Sequence, residues 1–293
     1  MKPHPAARLF DAFNYAVLVA FSLLTLVPFL YVVIVSFTDP IEYATTPLVI
    51  VPKHWSLASY RFILSTATFP HSLAVSGALA LIGTACSLIL TSGLAYALSR
   101  KTFRLKRVIM LGILFTMLFN PGMIPNYLLV KELGLIDTLW SLILPVLTSA
   151  WYVILMRSFY LDIPDELEES AKIDGCTDIG VFFRIMLPVS LSAMAAFSLF
   201  FAVAYWNTYF NAVLYINDAA FRPMQVVLQL LLIQSSTQVG DPSVAQMLQS
   251  DQMLPPQTIK MSAVVLASFP IILVYPFLQK YFVKGMMVGS VKG

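Results

Sequence analysis

Charged side chains are scarce in this chain: 18 basic and 15 acidic residues among 293, or 11%. A soluble domain carries about 25%, and a 32.6 kDa chain with so few cannot cover its surface against water. That scarcity excludes a soluble enzyme, a disordered segment and a nucleic-acid binder. A net charge of only +3 makes no basic face, despite a pI near 8.8. Histidine and cysteine are scarcer still. His4, His54 and His71 are scattered, Cys86 lies in an apolar run and Cys176 in a polar loop, so neither metal-ligand spacing nor a disulfide framework is present. No G-x-x-x-x-G-K-[ST] phosphate loop occurs, nor H-E-x-x-H, nor G-x-S-x-G. The chain therefore does not bind ATP by a phosphate loop.

In place of charge there is apolar sequence, 59% of the residues, with a mean hydropathy of +0.81. A bilayer core takes ~20 consecutive apolar residues of helix. Six stretches approach or exceed that length: 14–37, 72–98, 108–130, 138–156, 188–216 and 261–279. None contains Asp, Glu, Lys, Arg or His. The expectation is an all-α integral membrane protein of six transmembrane helices, forming a single domain over 1–293. The first stretch is too long for a signal-peptide core and no A-x-A-like site follows it, so it reads as a retained helix. Placing the N-terminus inside puts 13 of the 18 basic residues in the cytoplasm and leaves Lys53, Arg61, Lys131, Arg222 and Lys260 outside. Both termini are then cytoplasmic.

Three connections are long. Residues 38–71 form an outer loop with Asp39-Pro40, Pro47, Pro52, Trp55 and Tyr60. Residues 217–260 form a second, extracytoplasmic one. Its apolar segment, Met224 to Ile233, is too short to span and is expected along the interface or packed on the protein. The third, 157–187, is cytoplasmic and holds seven of the 15 acidic residues. Pro164 suits the first position of a helix, and Asp165, Glu166, Glu168 and Glu169 crowd its positive end. Gly175 sits where a left-handed cap ends it, and Thr177 or Asp178 can cap a second short helix. A compact helix–turn–helix at the membrane surface is predicted.

Within that loop, Glu169-Ser170-Ala171, then Asp174-Gly175, then Ile185-Met186-Leu187-Pro188 resembles the E-A-A…G…I-x-L-P signature of ABC-importer membrane subunits. Ser170 in place of the first Ala is the one departure, a small-for-small exchange. With six helices, a long second outer loop and a tail running Lys284-Gly285…Gly289-Ser290-Val291-Lys292-Gly293, the chain is similar to carbohydrate-uptake permeases of the maltose-type second subunit. The long second outer loop resembles the branch for oligo- and polysaccharides, and the length and tail resemble the second membrane subunit of bacterial alginate importers.

The resemblance implies a type I ABC-importer permease fold in the bacterial inner membrane. It implies a second permease subunit as heterodimer partner, two ATPase subunits that bind the ATP and Mg, and an extracytoplasmic solute-binding protein that delivers a saccharide. This chain itself would hold no cofactor and would not be an enzyme. It assigns 157–187 as a coupling loop docking in an ATPase cleft, through Glu169, Ser170, Ala171, Asp174, Gly175, Ile185, Leu187 and Pro188. Glu169 would be the charged contact, with Ala171 and Gly175 permitting close approach. The alternative is an ion-gradient-driven secondary transporter, against which the spans' lack of ionisable residues counts.

Tyr205, Trp206, Asn207, Tyr209 and Asn211 in the fifth span can cover sugar C–H faces and bond hydroxyls, or can equally form an interfacial aromatic belt. Asn120-Pro121-Gly122 and Pro125-Asn126 in the third span point to a broken helix lining a cavity or, as the simpler reading, a packing kink.

Overall fold

The computed structural model describes residues 5–46, 48–234 and 255–290. The predicted contents of 235–254 in the second outer loop, and the last three residues of the tail, lie outside them. Among the described residues the chain is helical without a strand, as six apolar stretches that must satisfy their own backbone groups require. Three of the stretches form long helices, Pro5–Ser36, Thr68–Ser99 and Pro256–Ser290. The other three are interrupted. Residues 108–130 divide into Lys106–Leu118 and Met123–Glu132. Trp140–Val146 meets Ala150–Leu161 at 58°. Leu191–Trp206 stops three residues before Phe210–Tyr215.

Contacts group the chain into two compact units. In the first, Met1–Pro70 with Leu228–Phe269, the outer loop after Ser36 is folded. Asp39 caps the helix Pro40–Thr45 by accepting from the Ile41 amide at 2.9 Å. Glu42 accepts from the amides of Lys53 and His54 at 2.9 and 2.8 Å, closing the loop on itself. The hydroxyls of Ser36 and Tyr60 share a 2.7 Å bond, and Ser262 donates to the Ser36 carbonyl.

In the second unit, His71–Val227 with Pro270–Gly293, the long helix ending at Ser99 is the scaffold. Ser76 accepts from the Met224 amide at 2.8 Å, Ser87 meets the Tyr205 hydroxyl at 2.8 Å, and Thr91 meets Thr148 at 2.7 Å. Steps of eleven and four residues keep these three on one face of a helix. Ser92, beside them, meets the Tyr160 hydroxyl at 2.6 Å. Such bonds between membrane helices contribute ~0.6–2 kcal/mol each, where apolar side chains gain nothing over lipid. Gly83 lies on the same helix against the Tyr205 ring, where a Cβ would stand 2.7 Å from the ring carbons. Met224, Val226 and Val227 are buried, so the short apolar segment of the second outer loop packs on the protein.

Loops assigned to one side of the membrane meet within this unit. Asp137, between the third and fourth stretches, accepts from the amides of Asn217 and Asp218 after the fifth. At the other end Lys101 reaches Asp165 at 2.6 Å. Along Lys106–Leu118 no residue is buried.

Candidate functional site

The 157–187 loop folds as a two-helix module. Its first helix, Glu166–Ile173, begins after Pro164 and Asp165. It ends in a left-handed Gly175, φ +82°, with the Cys176 amide donating to the Ala171 carbonyl at 2.9 Å and the Gly175 amide to Lys172 at 3.0 Å. These two bonds are a Schellman cap. Thr177, not Asp178, caps the second helix by accepting from the Gly180 amide at 3.2 Å. That helix runs through a π-helical turn, Phe182–Met186, into Leu187–Val189. Pro188 has no N–H to give the carbonyl four residues back, and a wider turn just before it accommodates the gap. At Ser190 the chain bends by 83° into the next helix.

Each signature residue has a definite place. Glu169, Ser170, Asp174 and Gly175 are exposed, Ile185 and Leu187 half-buried, and Pro188 exposed. Ala171 is only 5% exposed and packs inside its own chain. Its small side chain lets the helix approach this protein's body. Glu168, which the signature does not single out, is a buried and paired carboxylate. It pairs with Arg100 and with Lys172, the latter at 2.7 Å, and Lys172 also reaches Asp178 at 3.0 Å. The carboxylate of Glu168, then that of Asp178, holds the Lys172 ammonium above its usual range. Lys101 holds the exposed Asp165 carboxyl below its own. The module also exposes Ile173, Ile179 and Phe183, the first at 86%.

A second feature lies at the helix breaks, a cavity of about 740 Å³. Tyr205, Asn207, Tyr209 and Asn211 line it. Trp206 does not. It faces a separate apolar hollow with Gly77, Thr84 and Val203, because the next position on a helix points some 100° away. Tyr205 contributes to the wall while its hydroxyl is committed to Ser87. The third stretch is broken rather than kinked. Gly122 at φ +88° accepts no helical geometry, Asn120 takes the Gly122 amide at 3.0 Å, and Asn120 reaches the cavity wall. Thr148, Ser149, Trp151 and Tyr152, at the 58° bend, complete the polar and aromatic lining. The Pro145…Ser149 interruption just before Trp151-Tyr152 was the available sequence signal for them. Among the described residues, none that lines it is charged.

Residues 87–288 match the family described as binding-protein-dependent transport system inner membrane component. The chain belongs to that family. Its relatives include the polygalacturonan/rhamnogalacturonan transport system permease protein YtcP of Bacillus subtilis strain 168, 48% identical over 98% of this chain and 99% of that one. Protein LplC of the same organism is 44% identical over 98% of this chain and 96% of that one. Among solved structures, a bacterial ABC transporter involved in the import of the acidic polysaccharide alginate has a chain that matches with a TM-score of 0.87. It is 29% identical, with 96% of this chain and 99% of that one covered.

Membership makes this permease a multi-pass inner-membrane transport subunit of type I fold, not an enzyme, and removes the gradient-driven alternative. It also implies a partner permease, an ATPase and a substrate-binding protein.

Proposed function

We propose that this permease walls the path by which an ATP-driven importer passes oligo- or polysaccharides rich in acidic sugars, alginate-like polymers included, across the inner membrane. The observation that carries the reading is the uncharged cavity. Its volume falls within the ~300–1,000 Å³ of ligand sites. Trp151, Tyr152 and Tyr209 offer ring faces to sugar C–H groups, and Asn120, Asn207 and Asn211 offer amides to hydroxyls. The polygalacturonan/rhamnogalacturonan and alginate systems among its likenesses supply the acidic class. With no Lys, Arg or His in the wall, a carboxylate here meets neutral donors, and its counter-charge comes from the binding protein, the sister permease or the loops.

The chain works as one permease domain in a heterodimer with that sister subunit, above two ATPase subunits that bind ATP and Mg²⁺. An extracytoplasmic solute-binding protein delivers the saccharide. The 157–187 module docks in an ATPase cleft through Glu169, Ser170, Asp174 and Gly175, with Ile173, Ile179 and Phe183 supplying apolar contact. The test is reconstitution. The isolated chain should hydrolyse no ATP, whereas the full assembly should show hydrolysis and oligogalacturonide uptake stimulated by loaded binding protein. Asn207→Ala should weaken uptake roughly five-fold for the loss of about one hydrogen bond. Collapse of uptake by an uncoupler at constant ATP, or ATP turnover by the chain alone, would sink the proposal.

A further inference from the structure

The Arg100 guanidinium is held by several partners at once. It stands one residue past the cytoplasmic end of the helix Thr68–Ser99. Its Nη1 pairs with Glu168, its Nη2 donates to the Tyr160 carbonyl at 3.3 Å, and its Nε donates to Ser99 Oγ at 2.9 Å. Its carbon lies 4.9 Å from the centre of the Tyr96 ring. The Arg100 and Glu168 side chains are each only 11% exposed. By contrast Lys101–Asp165, from the same two segments, is open to water at 84% and 52%. A pair removed from water costs desolvation that an exposed pair does not, and deleting one partner leaves a charge stranded.

The same helix carries Thr91 and Ser87, whose hydroxyls hold Thr148 and Tyr205 of the cavity wall. From Ser87 to Arg100 is roughly 20 Å of continuous helix. Lys172, bonded to both Glu168 and Asp178, fixes the second helix of the module to the first. An unbroken set of contacts therefore runs from both module helices, through Glu168 and Arg100, along one rigid helix to the cavity. The module's covalent exits take a different course. One leaves through Asp162–Asp165, and the other bends by 83° at Ser190.

We propose that Arg100 and Glu168 are positioning residues for transport: the pair is the strut that makes a movement of the cytoplasmic module move the cavity wall. This rests on the reading of 157–187 as the ATPase-docking module. Rigid elements coupled through packed and hydrogen-bonded contacts transmit only where those contacts hold in both states. Arg100→Gln and Glu168→Gln should then let the ATPase run without moving saccharide.

The measurement is saccharide transported per ATP hydrolysed, in the fully assembled importer reconstituted at matched ATPase co-purification. Each single variant should lower that ratio at least about five-fold, the lower end of ordinary coupling energies. The double variant should lose less than the two singles added together, because both remove the shared Arg100–Glu168 contact. Arg100→Lys should recover part of the ratio, and Lys101→Gln, at the exposed pair, should keep it. If Arg100→Gln fails to reach the membrane, Glu168→Gln decides, since it leaves Arg100 its Tyr160 and Ser99 bonds. A wild-type ratio in Glu168→Gln, or additive losses in the double variant, overturns the strut and leaves the docking module standing. A wild-type assembly without stimulated hydrolysis overturns the docking module instead.

Discussion

Gly175→Val should impair transport severely although nothing in this chain stands in its way. A Cβ at position 175 meets no atom within 4 Å, so crowding is not the cause. The cost is in the backbone. At φ +82° an L residue is strained by about 1–2 kcal/mol, and a β-branched one by more. One to two kcal/mol changes a local equilibrium roughly 5- to 30-fold, here between the closed Schellman turn and open forms in which the Cys176–Ala171 bond is lost. The second helix then loses its fixed angle to the first. Asn tolerates this conformation best after glycine, so the series should run Gly, Asn, Ala, Val in falling activity. Asp165→Ala should do less than any of the last two, since it removes only an exposed pair with Lys101. The assay is ATPase co-purification with uptake, at matched membrane expression. A Gly175→Val chain that assembles and transports normally would falsify the module as a rigid lever and leave it a well-capped connector.

Gly83→Val should destabilise the purified permease by ~1–3 kcal/mol, as overpacking does, because its side chain would strike the Tyr205 ring; a melting temperature in detergent unchanged from wild type contradicts this. In a background with Cys86 and Cys176 replaced, Arg104→Cys should react with an impermeant thiol reagent only after permeabilisation and Trp55→Cys from outside; the reverse pattern inverts the topology. Transport per ATP should be flat from about pH 5 to about pH 9 as far as the module's ion pairs are concerned. The Asp165 carboxyl is held below its ordinary 3.8, so its contribution is present above that value and lost only as pH falls through the depressed one. Lys172 is held above its ordinary 10.5, so its contribution is full below that value and lost only on strong alkalinisation. A midpoint near neutrality traced to either residue by mutation would contradict the observed pairing.

Apolar length and missing charge determined the membrane class, because the bilayer penalises charge residue by residue; basic-residue asymmetry supplied the expected sidedness. The 157–187 module was legible for a similar reason. Pro164, Gly175 and Thr177 act on their own backbone within a few residues, so the cap, the turn and the second helix follow from local chemistry. The cavity was legible only in part. Tyr209 and Asn211 line it and Trp206 does not, since facing depends on where the helix breaks and how it rotates against its neighbours. The breaks at 119–122 and 147–149 bring Asn120 and Trp151 to one wall across some thirty residues of chain. Burial decided between neighbours of identical type. Glu168 and Glu169 are the same residue in sequence, but one helical step turns the first onto Arg100 and leaves the second in water. That choice belongs to tertiary structure, because an ion pair between residues 68 positions apart exists only once both helices are packed.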